Sequence, residues 1–168
     1  MRTMNTPGID STIVRAHQHS AGAKGGMHRA KPLVAALVGL STKIHALVDA
    51  LGNPLGFHLT PGQACDLDGA DVLLNELAAD TVLADKGYDA DERVIERLQQ
   101  RGKTAVIPPK RNRTTARDYD KDLYKARHII ENFFATLKQY RAIATRYDKR
   151  AKNFLGAIYL AATVIWLN

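Results

Sequence analysis

With 168 residues, 45% of them hydrophobic and 24% charged, the chain has the composition of one ordinary globular domain, which excludes a disordered or fibrous protein. Its one cysteine, Cys65, suits a small buried side chain and excludes an internal disulfide and a cysteine zinc cluster, and its most apolar run, Phe154 to Leu167, is too short to cross a bilayer. The net charge of +7 is lopsided: residues 1–100 hold 9 Lys and Arg against 12 Asp and Glu, residues 101–168 hold 15 against 5, and a basic half of this kind points to a polyanion such as nucleic acid.

In chain order, Ile9 to Val14 predicts a short strand. Ser41 to Asp49 predicts a half-buried one, with Thr42, Ile44, Ala46 and Val48 on one side and Lys43, His45 and Leu47 on the other. Gly52-Asn53-Pro54 turns the chain into Leu55 to Thr60, which makes a hairpin, and Pro61-Gly62 ends it. Asp66 is placed to cap a helix reaching about Ala79. The short apolar Thr81 to Ala84 suits a central strand, and Asp89 is placed to cap a helix from Ala90 to Arg101 that Gly102 stops. Thr104 to Ile107 gives another central strand. A basic loop, Lys110 to Arg117, then leads to a long amphipathic helix from about Lys121 to Arg141, and a last helix covers Lys152 to Leu167. Residues 31–39 find no place in this order. The pattern predicts an α/β fold, a mixed sheet flanked by helices, in a single domain over residues 1–168.

Three features can carry chemistry, and each has a plain structural alternative. Asp10 sits in a strand among residues that prefer burial, where an ionised carboxylate needs a cation or metal, unless it is a strand-end residue. Asp85 ends the strand Thr81 to Ala84 just before Lys86-Gly87, at the strand end where α/β sheets collect ligands, unless it caps the following turn. Tyr124, Arg127, Glu131 and Lys138 share one face of the long helix, which as a polar stripe can equally be solvated surface.

The spacing Tyr124-(2)-Arg127-(3)-Glu131-(6)-Lys138 resembles the tyrosine-arginine-glutamate-lysine signature of the DDE transposases of bacterial insertion sequences, the group around insertion sequences four and five. Asp10-Ser11-Thr12, Leu40 to His45, Ala84 to Asp89 and Ile107 to Lys110 are similar to that family's blocks, in the same order. The resemblance implies a ribonuclease-H-like fold in which Asp10, Asp85 and Glu131 converge as catalytic residues and as ligands of two Mg²⁺ or Mn²⁺ ions, carboxylate oxygen suiting these hard cations. The implied activity is metal-dependent cleavage of DNA at transposon ends and strand transfer into target DNA, by an enzyme that is a homo-oligomer when active. Tyr124, Arg127 and Lys138, with Lys110, Arg111 and Arg113 of the basic loop, are the expected DNA contacts. A cytoplasmic, nucleoid-associated protein without a membrane segment is expected.

Two departures from the family pattern stand out. The chain starts close to Asp10, so an N-terminal domain for recognising transposon ends is expected to be absent, and the apolar residues 30–39 replace a stretch that is often rich in glycine and arginine. The rival expectation is a truncated, inactive DNA-binding inhibitor of the full-length enzyme.

Overall fold

The computed structural model describes residues 6–17, 20, 41–75, 77–115 and 117–167. The unplaced segment 31–39 and the first residue of the Leu40 to His45 block lie outside them. Three antiparallel strands open the fold, β1 (Gly8–Ala16), β2 (Ser41–Val48) and β3 (Pro54–Pro61). After helix α1 (Asp66–Leu73) comes β4 (Thr81–Ala84). A wide π-type turn, Asp91–Ile95, runs into helix α2 (Glu96–Gln100), and Gly102, at φ +69°, releases the chain into β5 (Thr104–Val106). Then follow α3 (Lys121–Tyr124), a 3₁₀ turn (Lys125–Arg127), α4 (His128–Leu137), α5 (Arg141–Ala144), β6 (Thr145–Arg146) and α6 (Ala151–Leu167).

The sheet order is β3-β2-β1-β4-β5, with β4 and β5 parallel to β1, so the sheet is mixed, as expected of a ribonuclease-H-like α/β fold. On one edge of β1, β4 pairs only with Gly8 and Ile9, while the short strand β6 pairs with Arg15 and Ala16. Between them that edge is open from Asp10 to Val14. Apolar residues cover both faces of the sheet: Val14, Ile44, Ala46 and Val48 pack under Ile130, Phe133, Leu137, Phe154 and Ile158, while Ile9, Leu47 and Val82 pack under Ala70, Tyr88, Val94 and Leu98.

Several expectations change. β2 is buried on both faces rather than half-buried, because Lys43 and His45 find polar partners under α1: the Lys43 ammonium reaches Asp66 and the His45 ring meets the Thr60 hydroxyl at 2.8 Å. Ile13 of β1 is 52% exposed, lying on the strand's open stretch. Cys65, expected to be buried, is exposed at the start of α1. Asp66 caps nothing, and α1 stops at Leu73 instead of reaching Ala79. Asp89 does not cap the next helix either, since its carboxylate turns to the basic loop. The long helix is broken twice, by the 3₁₀ turn before α4 and again after Leu137. The strand β6 has no alternating pattern by which two residues could be recognised.

Candidate active site

Register brings the first two acids together. Ile9 of β1 stands opposite Ala84 of β4, so Asp10 and Asp85 are the next residues along two parallel neighbours, at the carboxyl end of β4 where the open edge begins. Asp85 turns back on its own chain: its Oδ1 accepts a 2.7 Å hydrogen bond from the Gly87 N–H. A Cβ at Gly87 would lie 2.8 Å from that oxygen and 3.1 Å from Asp66 Oδ2, so this close approach of backbone to two carboxylates requires glycine.

Glu131 arrives on α4, the helix that packs across β1. It joins Asp10 through a cation. The Arg127 guanidinium donates to Asp10 Oδ2 at 2.7 Å with one nitrogen and to Glu131 Oε1 with the other, an ion pair one helical turn long. The Asp10 side chain is 16% exposed and that of Glu131 54%. Burial, opposed by the Ser11 N–H and by Arg127 and assisted by Asp85 and Asp66, pushes the Asp10 carboxyl up to about 6. Among the described residues no three His, Cys, Asp or Glu side chains stand close enough together to share an ion, and Arg127 is paired with both Asp10 and Glu131.

Of the other residues in the helix signature, Tyr124 lies with its ring 6.0 Å from the Arg127 guanidinium carbon and edge-on to Tyr119 at 5.6 Å. Lys138 stands exposed just beyond α4 and is not brought to the others. In the basic loop, Arg113 is bound to Asp89 and Asp91, the Lys110 N–H donates to Asp89, and Arg111 is exposed in a turn. An apolar cavity of about 220 Å³ behind Arg127, between Gly8, Val48 and Ile130, holds none of the three acids.

Sequence reasoning missed a partly buried polar group beside Asp85. Asp66 accepts from the Ser11 hydroxyl at 2.6 Å and from the Lys43 ammonium at 2.9 Å. Burial raises its pKa, but these bonds outweigh burial and hold the carboxyl below its usual range. Tyr88, the last residue of the turn that Asp85 caps, is fully buried. The available signal was Lys43 in a strand otherwise rich in apolar residues.

Residues 9–167 match the family described as Transposase DDE domain. A protein of Brucella ovis that bears the name of a transposase for an insertion sequence element is 42% identical over 129 residues, which cover 76% of this chain and 99% of that relative. Placed beside a sheet that sets Asp10 against Asp85 and a helix that carries Glu131 to the same strand, these matches settle the kinship: the chain belongs to the Transposase DDE domain family.

Proposed function

We propose that residues 1–168 act as a single catalytic domain that cuts DNA at the ends of an insertion sequence and joins the freed 3′ end to a target, with Asp10, Asp85 and Glu131 as the catalytic and metal-holding residues. The observation that carries this reading is the Arg127 guanidinium lodged between Asp10 and Glu131: a cation already stands where two acids from distant parts of the chain face each other. The donor set fits Mg²⁺ or Mn²⁺, being all carboxylate oxygen, which binds these hard cations in its deprotonated form. Two such ions, when bound, supply activation of the attacking water or 3′-hydroxyl and stabilisation of the leaving oxygen.

The protein's own groups do the rest. Asp85, held through one oxygen by the Gly87 N–H, would offer its other oxygen to the ion. Arg127 is suited to grip a phosphate in two-pronged fashion once it leaves the acids, with the Tyr124 ring supporting its flat face. Lys138, Lys110 and Arg111 offer point charges to the DNA backbone, while Arg113 braces the loop that carries the last two. Assembly into a homo-oligomer on paired transposon ends, and work at the bacterial nucleoid, belong to the same proposal; among the described residues no helix is long and apolar enough to cross a membrane.

The test is Mg²⁺-dependent nicking of DNA bearing the element's ends. The wild-type chain is expected to nick and to give strand-transfer products, and Asp85→Asn is expected to lower the rate by a factor of at least about 10³, as loss of an electrostatic group in the site would. DNA binding without nicking by the wild type would instead mark an inhibitor of the full-length enzyme.

A further inference from the structure

One edge of β1 meets β4 at Gly8 and Ile9 and β6 at Arg15 and Ala16, so Asp10 and β6 stand at the two ends of the same open stretch. From Asp10 to Ala16 the strand rises about 3.3 Å per residue and spans roughly 20 Å. That is the length of about six nucleotides of stacked strand. At the far end the Tyr147 ring, 52% exposed, stacks on the His17 ring with centroids 4.5 Å apart and planes 25° from parallel. The stack is not what ties β6 down, because the Arg146 carbonyl already accepts from the His17 N–H at 2.9 Å and from the Ser20 hydroxyl at 2.9 Å. Arg15 on β1, and Lys149, Arg150 and Lys152 just after the ring, are exposed and form no ion pair among the described residues. Asp148, the acid of this stretch, acts on the buried Arg146.

Cations alone are enough to hold the phosphates of a duplex, whose bases lie against one another and offer no free face. A half-exposed aromatic ring among cations suits another form of nucleic acid, since an unpaired base has a π-face to lay on it. We propose that the His17–Tyr147 stack is a platform for an unpaired nucleotide of the DNA held at the acids. The strand follows the open edge of β1, past the exposed Ile13 and Arg15, and the cations beyond the ring take its phosphates. This rests on the DNA-cutting reading above and needs no bound ion.

The test is fluorescence anisotropy of the full chain in chelator, with a labelled oligothymidylate of about twelve nucleotides, within the usual range of single-strand sites, and with a blunt duplex of equal length. Tyr147→Ala is expected to bind the single strand at least about fivefold more weakly, the loss of one stacked base, and the duplex as wild type does. Tyr147→Phe should match wild type on both, and Arg150→Gln should weaken both alike. In the wild type, ultraviolet cross-linking of an oligonucleotide that carries 5-iodouracil is expected to join the base to Tyr147 or His17, as mapped by mass spectrometry; this measurement decides the matter if Tyr147→Ala fails to fold. Unchanged single-strand affinity in Tyr147→Ala, an equal loss on both DNAs, or cross-links that all fall elsewhere would overturn the platform. Nicking of the element's ends by the wild type alongside any of those results would leave the DNA-cutting reading standing, whereas a wild type that binds neither DNA would remove both.

Discussion

Two buried titratable residues are displaced in opposite senses, and their effects on stability oppose each other. Asp10 is raised from 3.8 to about 6, chiefly by burial, so at intermediate pH the folded chain holds a proton there that the unfolded chain has lost. Its contribution to stability is complete below 3.8 and disappears as the pH rises through about 6. His45 is lowered from 6.5 to about 4 by burial and by His58, so the unfolded chain takes up a proton that the folded one refuses. Its contribution is complete above 6.5 and disappears as the pH falls through about 4. In metal-free buffer the two slopes offset each other between about pH 4 and 6. Asp10→Asn removes one of them, and its urea midpoint is expected to rise with pH across that window more steeply than the wild-type midpoint does. Parallel curves for the two proteins would mean that Asp10 titrates as an ordinary surface carboxyl.

Among the elements, the basic loop depends on one acid. The Asp89 side chain, 2% exposed, accepts from the Lys110 N–H and pairs with Arg113 and Arg117. Asp89→Ala leaves two cations and an amide without their acceptor and is expected to cost about 2–4 kcal/mol in chemical denaturation. Trypsin should then cut faster after Lys110 and Arg111. At the exposed Arg111 an alanine should change stability by less than about 0.5 kcal/mol. Gly69→Ala on α1 tests a different contact: the added methyl would run into the His45 ring, and overpacking there is expected to cost about 1–3 kcal/mol. These same residues mark where the fold is legible in the sequence. The strands β1, β2 and β4 follow from short-range pattern, whereas the approach of Asp10 to Asp85, far apart in the chain, is implied only by the family resemblance and comes about through the register of β1 with β4. Asp66 and Asp89 read as helix caps because an acid before a helix looks alike whether it caps or anchors a partner 20 or more residues away. Alternation in β2 is visible, but a polar residue opposite an apolar one reads as facing water, and only the packing of α1 shows that Lys43 and His45 do not.

Across the whole molecule, the surplus of cations in residues 101–168 is smaller in effect than its count, because Arg113, Arg117, Lys125 and Arg127 spend their charge on acids of the same chain. Lys138, Arg141, Lys149, Arg150 and Lys152 are exposed and form no ion pair among the described residues, so the positive potential available to DNA gathers around α5 and the start of α6. Replacing Lys149, Arg150 and Lys152 together by Gln is expected to flatten the dependence of log affinity on log salt by roughly 2–3, about 0.9 for each phosphate no longer neutralised. Arg127 ties this electrostatic surface to the chemistry. One guanidinium cannot neutralise Asp10 and Glu131 and also hold a strand of DNA, so whatever draws it to the strand exposes both acids to another cation, and whatever satisfies the acids sets it free. On the proposed reading, nucleic acid and divalent ion each tighten the hold of the other, by the same factor in both directions. On that reading the chain without its substrate is latched by its own side chain, and either ligand eases the entry of the other.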